Sequence, residues 1–184
     1  GFYAGNTATP YGGALFNGKD AIGNIGTIEK ITGIFSGNNA KYGSAIFNDG
    51  EVGAVAGAGF YYNGLESGYM GGAIYNSGTM DIRSSEFAGN ASSYGGAVAS
   101  YGTGEIADSV FRANRAAQGG AIYSNGGGNI ANSVFEGNEA NSGGAIYNRT
   151  EGLVVTNSSF TDNTAVGYGG ALYVRAGMTI RADG

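Results

Sequence analysis

The stretch that decides the fold is residues 71–94, which read GGAIYNSGTMDIRSSEFAGNASSY. It opens on the motif Gly-Gly-Ala-aliphatic, and the motif Phe-x-x-Asn, here Phe87 to Asn90, stands near its end. Between the two motifs Ile82, Ser84 and Glu86 alternate with a period of two, which is typical of β-strands. Gly and Asn punctuate the rest, and both favour tight turns. Three short strands and three turns therefore fit within about 24 residues.

The same pair of motifs recurs along the whole chain. Gly-Gly-Ala-aliphatic begins at residues 12, 71, 95, 119, 143 and 169, with a Gly-Ser-Ala-Ile variant at 43. Phe-x-x-Asn begins at residues 35, 60, 87, 111, 135 and 160, with Tyr in place of Phe at 3. Leucine-rich repeats share this length, but the chain lacks their dense leucine pattern. The spacing predicts one all-β domain over 1–184, a right-handed parallel β-helix of about seven coils of roughly 24 residues.

In a parallel β-helix each strand pairs with its equivalent one coil away, so equivalent residues stack along the axis. The predicted core ladders are Leu15, Ile46, Ile74, Val98, Ile122, Ile146, Leu172; Phe35, Phe60, Phe87, Phe111, Phe135, Phe160; and Ile82, Ile106, Ile130, Val155. The predicted polar ladder is Asn6, Asn38, Asn63, Asn90, Asn114, Asn138, Asn163. Asparagine tolerates left-handed backbone at a corner, and stacked asparagines can hydrogen-bond one another. Ion pairs across coils are expected for Arg112 with Glu136 and for Arg115 with Glu139.

Composition excludes several classes of protein. Glycine occupies 38 of 184 positions, but a single proline excludes collagen, and 42% hydrophobic residues with a net charge of −5 predict a folded chain. The mild acidity argues against a nucleic-acid partner. No apolar run approaches the roughly 18 residues that span a bilayer. No signal peptide is recognisable, and the repeat begins and ends in mid-pattern, so we expect a fragment of a longer protein.

No cofactor or metal site is predicted, because the chain has no His or Cys and no acidic cluster with calcium-site spacing. Polysaccharide-active enzymes of the pectin-lyase-like fold gather carboxylates on one face. Here the acidic residues scatter, and the equivalent pair Asp81 and Glu105 is followed by Asn129. The chain also lacks histidine, the commonest general base in enzymes. We therefore expect no enzyme and keep a polysaccharide-active enzyme as an alternative.

The paired motifs, as in Gly71–Ile74 with Phe87–Asn90 and their copies, resemble the repeats of polymorphic outer-membrane proteins, the chlamydial autotransporters. The resemblance covers nearly the whole chain and departs at Gly43-Ser44 and at Tyr3. It implies a β-helical passenger exported to the bacterial cell surface, with a role in adhesion. The implied partner is a protein or glycan on a host or neighbouring cell. It implies no catalytic residue, because the motif contains none.

A structural role is the alternative from another class. The ends of a β-helix are open sheet edges that invite end-to-end stacking, so self-association through the terminal coils could build an extracellular filament.

Two segments exceed the 24-residue template, one within 18–32 and one within 64–70. Loops that protrude from solenoids often bind partners. If both leave at similar corners, they form one patch near the N-terminal end. Their candidate partner-binding residues are Lys19, Asp20, Glu29, Lys30, Glu66 and Tyr69. The alternative is that both segments are insertions without a binding role, which surface loops tolerate.

An aromatic residue usually follows the aliphatic of Gly-Gly-Ala-aliphatic. The row is Phe16, Phe47, Tyr75, Tyr123, Tyr147 and Tyr173, with Ala99 breaking it. Neighbouring residues of a strand point to opposite faces, so these rings should point outward. One interpretation is an exposed stripe that contacts sugars or proteins, in which Tyr75, Tyr123, Tyr147 and Tyr173 are binding candidates. The interpretation we favour is that neighbouring segments cover the rings, or that they form a stabilising ladder.

Overall fold

A computed structural model describes residues 1–19, 22–64 and 69–182, and the elements of these ranges are all β-strands. The strands are β1 Phe2–Ala4, β2 Leu15–Asn17, β3 Thr27–Ser36, β4 Ile46–Asn48, β5 Glu51–Tyr61, β6 Ile74–Asn76, β7 Thr79–Arg83, β8 Glu86–Ala88, β9 Val98–Ser100, β10 Glu105–Ala107, β11 Val110–Arg112, β12 Arg115–Gln118, β13 Ile122–Ser124, β14 Gly128–Ala131, β15 Val134–Glu136, β16 Glu139–Ser142, β17 Ile146–Asn148, β18 Leu153–Thr156, β19 Ser159–Thr161, β20 Thr164–Tyr168, β21 Leu172–Val174 and β22 Met178–Arg181. They form a parallel β-solenoid, which confirms the predicted fold class.

The seven-stranded sheet contains one strand from each coil, in the order β2-β4-β6-β9-β13-β17-β21. Each strand carries the aliphatic residue of one Gly-Gly-Ala motif, and the register pairs Leu15 with Ile46, Ile46 with Ile74, and so on along the axis. The seven strands are separated by six turns, slightly fewer than the predicted count of about seven coils. The first predicted ladder is therefore confirmed residue by residue.

Two further faces of the solenoid belong to one twelve-stranded sheet. In the N-terminal coils β3 and β5 run unbroken across both faces. In later coils the same path is split into two strands at a residue with left-handed backbone, such as Ser84 at φ 47° or Asp108 at φ 51°. This bend allows Ile82 and Phe87 to point inward together although they are five residues apart, as the sequence required. A three-stranded sheet, β12-β16-β20, follows the Phe-x-x-Asn corner.

The core is a column of phenylalanine rings enclosed by aliphatic side chains. Neighbouring rings from Phe35 to Phe160 lie 4.6–4.9 Å apart between centroids and within 9° of parallel. Phe35, Phe60, Phe87, Phe111 and Phe135 are fully buried. The Ile82, Ile106, Ile130 and Val155 ladder is also buried and in register. The predicted core ladders are thus confirmed.

The asparagine ladder forms. Of the two roles predicted for it, left-handed backbone at the corner and hydrogen bonding along the axis, only the second is observed. Left-handed backbone occurs at the residue before each asparagine, for example Gly89 at φ 66° and Ala113 at φ 50°. The asparagine itself points inward. Its amide donates to the next amide oxygen along the axis, at 3.0 Å from both Asn90 and Asn114. The expected left-handed asparagine is therefore wrong, and the expected axial hydrogen bonding is confirmed.

In the middle coils, close packing between coils requires the second glycine of the Gly-Gly pair. A Cβ placed on Gly96 would collide with the carbonyl oxygen of Gly120, and one on Gly120 with that of Gly144. In the departing copy, Ser44 is buried and its hydroxyl donates to the carbonyl of Ala40 at 3.0 Å.

The predicted insertions within 18–32 and 64–70 include residues 20–21 and 65–68, which lie outside the described residues. Thr27 to Thr32 belong to β3, which pairs in parallel with β5, so the surplus lies between Asn17 and Thr27. Asn17 ends strand β2 of the seven-stranded sheet, whereas Gly71 shortly precedes strand β6 of the same sheet. The described ends of the two segments therefore meet opposite ends of these strands.

The expected ion pairs across coils are present on the outer surface. Arg112 contacts Glu136 at 2.9 Å and also Glu86 at 3.4 Å, and Arg115 reaches Glu139 at 3.8 Å. All five side chains are substantially exposed, so each pair contributes about 0.2–1 kcal/mol at most.

Candidate functional site

A continuous row of aromatic rings runs along the outside of the seven-stranded sheet. It arises because the aliphatic residue of each strand points inward and its neighbour must point outward. The row, called here the ring ladder, consists of Phe16, Phe47, Tyr75, Tyr101, Tyr123, Tyr147 and Tyr173. Neighbouring centroids lie 4.7–5.8 Å apart. The rings are therefore in contact from the first coil to the last.

Tyr101 closes the gap that Ala99 leaves in the ladder. It lies at the corner after β9, and its ring stands 5.6 Å from Tyr75 and 5.8 Å from Tyr123. A residue from outside the strand thus supplies the ring that the strand lacks. The sequence row appeared broken at this coil, and the structural row is not.

A second set of tyrosines lies along one edge of the ring ladder. These flanking tyrosines are Tyr11, Tyr42, Tyr69, Tyr94 and Tyr168. Several meet the ladder edge to face, as Tyr42 does with Tyr75 at 5.7 Å and Tyr94 with Tyr123 at 5.3 Å. The two sets together, called here the aromatic face, include ten of the thirteen tyrosines in the chain.

Burial separates the four ladder tyrosines that were binding candidates. Tyr123 is 1% exposed and Tyr147 is 7% exposed, so an exposed stripe is wrong for these two residues. Stacked neighbours and the edge of Tyr94 cover them, which confirms the interpretation as a covered, stabilising ladder. Tyr75 and Tyr173 are partly buried.

The accessible aromatic surface lies elsewhere on the same face. Tyr168 is 70% exposed, Phe16 is 55% exposed, and Tyr11 and Tyr69 are each 43% exposed. Lys41 lies over the rings of Tyr42 and Tyr69, with its Nζ 5.7 and 5.6 Å from their centroids. A cation above two tyrosine faces is a stabilising contact.

Packing changes the acidity of the ladder phenols. Burial raises the pKa of Tyr75 above 10.0, and the nearby phenol of Tyr42 adds to the effect. Burial also raises the pKa of Tyr101, with further contributions from the Tyr123 phenol. Both hydroxyls therefore stay protonated at neutral pH and remain hydrogen-bond donors.

One groove interrupts the row of flanking tyrosines. Gln118 and Ser142 hold the positions that Tyr94 and Tyr168 hold in other coils. Their smaller side chains leave a groove of about 220 Å³, called here the arginine groove. It is lined by Tyr94, Gln118, Tyr123, Tyr147, Arg149 and Arg175.

Arg149 is anchored at the edge of this groove. Its Nη1 donates to the hydroxyl of Tyr123 at 3.1 Å, and this hydrogen bond is the main cause of its raised pKa. Neither Arg149 nor Arg175 has a carboxylate within ion-pair distance in the described part of the chain.

The charged loop candidates do not gather into one site in the described structure. Lys19 bridges to Ile25 across a short antiparallel contact at the first insertion. Glu29 and Lys30 are exposed but lie within β3, away from any loop. Tyr69 belongs to the aromatic face, and Asp20 and Glu66 lie outside the described residues.

The carboxylate pair that could suggest an enzyme is held in an ion-pair network. Arg83 contacts Asp81 at 3.1 Å and Glu105 at 2.6 Å. Within the described ranges, no three residues of metal-ligating type lie close enough to share an ion. The same ranges hold no helix long and apolar enough to cross a membrane.

Sequence reasoning missed the flanking tyrosines, Tyr101 and the two groove arginines. A signal for the flanking set was available, because Tyr immediately precedes a Gly pair or its variant at residues 11, 42, 94 and 168. No sequence signal points to Tyr101, because it reaches the ladder from a corner.

Comparison with known proteins identifies the repeat. Three segments match the Chlamydia polymorphic membrane protein repeat, at residues 108–125, 132–149 and 157–175. Each matched segment begins at a left-handed bend, at Asp108, Asn132 or Asn157, and ends one residue after the next strand of the seven-stranded sheet. The matched unit therefore contains one Phe-x-x-Asn motif and the Gly-Gly-Ala motif that follows it. Neither a curated protein nor a solved structure matches the chain. The chain therefore carries polymorphic membrane protein repeats, and the expected resemblance is confirmed.

Proposed function

We propose that this chain is part of the passenger of a bacterial surface protein, exported across the outer membrane, and that it acts as a non-enzymatic adhesin. In this role the solenoid is a rigid shaft whose outer aromatic face binds a protein or glycan on a host or neighbouring cell. The polymorphic membrane protein repeats support the passenger assignment. The adhesive role is our inference from the surface chemistry.

The observation that carries the proposal is the concentration of tyrosine on one face over the length of the shaft. Tyrosine combines a large apolar ring with a polar hydroxyl and loses little conformational entropy when it is fixed, so it is enriched in binding interfaces. A shaft that served only as a spacer would need the internal ladders but not this external one. Stacking fixes the rings in advance and so lowers the entropic cost of binding.

The geometry of the acidic residues favours binding over catalysis. Two carboxylates at a catalytic site need distinct environments, one for an acid and one for a base or nucleophile. Asp81 and Glu105 instead share the guanidinium of Arg83. This arrangement is typical of a register-fixing network on a solvated sheet.

Cell binding by the purified chain tests the proposal. Fluorescently labelled protein is titrated onto epithelial and bacterial cells, and saturable binding is measured by flow cytometry. The variant Tyr69→Ser with Tyr168→Ser removes two accessible rings of the aromatic face, and we expect at least a tenfold loss of affinity. The control Tyr62→Ser removes a ring that is 71% exposed but belongs to neither set.

Two outcomes would contradict the proposal. One is the absence of saturable binding to either cell type. The other is an equal loss of affinity in the control and in the aromatic-face variant, because binding would then not depend on that face.

A further inference from the structure

The arginine groove brings two arginines together on one face of the solenoid. The chain carries a net charge of −5, and Arg83, Arg112 and Arg115 each contact at least one carboxylate. Arg149 and Arg175 have no such partner among the described carboxylates, although they occupy equivalent positions in neighbouring coils. Their backbones are about 4.8 Å apart along the axis, and both arginines line the groove, where no described carboxylate neutralises them.

The other groups lining the groove are uncharged hydrogen-bonding side chains. Tyr94 contributes its phenol and Gln118 its amide, while the largely buried Tyr123 and Tyr147 line the groove from within the ring ladder. The groups that set the pKa of Arg149 are phenols, with Tyr123 first and then Tyr101 and Tyr147, and no carboxylate is among them. The groove therefore combines positive charge with several neutral donors and acceptors.

We propose that the arginine groove binds an acidic saccharide, a sugar that carries a carboxylate, with the two guanidinium groups holding the carboxylate. This inference rests on the proposed adhesive function and names its ligand class. Arginine suits a carboxylate because its planar fork makes paired, charge-assisted hydrogen bonds. The amide of Gln118 and the phenols suit sugar hydroxyls, which both donate and accept hydrogen bonds.

The shape of the groove favours a sugar over a flat aromatic anion. Tyr123 and Tyr147 are packed against their neighbours in the ladder and are almost fully buried, so neither presents an open ring face. An aromatic ligand would lack an open ring face to stack on. A saccharide instead meets a row of polar groups spaced at one coil, which can contact successive sugar units along the shaft.

Titration calorimetry with defined sugars tests this site. The probe is trigalacturonate, and its fully methyl-esterified form is a ligand of similar shape without charge. Acetate is the control for a bare carboxylate. We expect trigalacturonate to bind and both controls to bind at least tenfold more weakly, because the first lacks the charge and the second lacks the hydroxyls.

Matched arginine variants assign the binding to the groove. Arg149→Gln and Arg175→Gln should each weaken trigalacturonate binding by about tenfold or more, the effect of losing one charge-assisted contact. Arg112→Gln removes one positive charge from a different face, where the arginine is already ion-paired, and should leave affinity unchanged. Thermal melting of all three variants verifies that the fold is retained.

Three results would overturn the proposed site. Trigalacturonate does not bind, its methyl ester binds with equal affinity, or Arg112→Gln weakens binding as much as the groove variants do. These results are independent of cell adhesion. If cells bind the chain and trigalacturonate does not, the adhesive function stands and the ligand class is wrong. If trigalacturonate binds in an arginine-dependent way and cells do not, the groove is a saccharide site and the adhesive function is wrong.

Discussion

At the scale of single residues, the asparagine of Phe-x-x-Asn explains why the motif repeats. The amide of Asn114 donates to Asn138 Oδ1 at 3.0 Å and to the carbonyl of Phe87 at 3.0 Å. Its own oxygen accepts from the backbone N–H and the side-chain amide of Asn90, both at 3.0 Å. The buried amide is thus satisfied on every side, which a buried polar group requires.

Replacing Asn114 with Ala should therefore be costly. The change leaves the Asn90 donors and the Phe87 carbonyl buried without their partner, and we expect a loss of roughly 2–5 kcal/mol in the free energy of unfolding. Urea denaturation measures the loss. Asn129→Ala is the control, because Asn129 is exposed on β14, and its cost should stay within about 0.5 kcal/mol. Equal costs for the two variants would show that the ladder bonds do not stabilise the fold.

The phenylalanine column supports a second residue-scale prediction. Phe111 is fully buried and stacks on Phe87 and Phe135 at 4.8 and 4.9 Å. Phe111→Ala should lower the free energy of unfolding by roughly 3–5 kcal/mol through lost burial and a new cavity. Phe111→Leu, which keeps most of the apolar volume, should cost about 1–2 kcal/mol. A loss below about 1 kcal/mol for the alanine variant would mean that the column does not carry the core.

At the scale of elements, a second asparagine row runs inside the seven-stranded sheet and then stops. Asn17 donates to Asn48 at 2.7 Å and Asn48 to Asn76 at 2.8 Å. The next two coils have Ser100 and Ser124, and a cavity of about 30 Å³ lies beside them. Among the described residues, Ser124 Oγ and Asn148 Oδ1 find no hydrogen-bond partner.

Ser124→Asn should extend this row and stabilise the solenoid. The new amide can donate to Asn148 Oδ1 and fill part of the cavity, for a gain of about 0.5–1.5 kcal/mol. Ser133→Asn is the matched control, because Ser133 is buried and its hydroxyl already donates to the carbonyl of Ala131 at 2.8 Å. We expect that variant to be destabilised. Chemical denaturation of both proteins measures the difference, and a stability loss in Ser124→Asn would contradict the proposed extension.

The aromatic face gives an element-scale prediction for pH. The pKa values of Tyr75 and Tyr101 are raised above 10.0 by burial, so the folded state prefers their protonated forms. Their contribution to stability is present below pH 10 and is lost as pH rises through the folded-state pKa values. We expect stability to fall above pH 10, and less steeply in Tyr101→Phe. Tyrosinate absorbance and circular dichroism, recorded together, measure this, and full ionisation near pH 10 in a folded protein would contradict it.

The sequence was sufficient for features that recur in every coil. The Phe and Ile ladders repeat at one position, and repetition alone identifies them. Tyr101 and Ser124 were not predictable, because each depends on what a neighbouring coil lacks. The burial of Tyr123 and Tyr147 could not be predicted from the sequence, because strand alternation gives the direction of a side chain but not what covers it. The groove at Arg149 and Arg175 could not be predicted either, because it depends on the position of Gln118 beside them.

At the scale of the whole molecule, the solenoid separates stability from recognition. The internal ladders of Phe, Ile and Asn hold neighbouring coils together, so stability is distributed along the axis. The accessible flanking tyrosines and the arginine groove can therefore vary without loss of the fold, whereas the buried rings of the ladder also contribute to stability.

Site-specific photo-crosslinking on intact cells tests the central claim, that the aromatic face is the binding surface. A benzophenone amino acid replaces Tyr69 or Tyr168 on that face, and replaces Tyr62 as the control of comparable exposure off the face. After irradiation of cell-bound protein, adducts are compared by electrophoresis. We expect the same partner adduct from Tyr69 and Tyr168 and none from Tyr62. An adduct from Tyr62 alone would contradict the central claim.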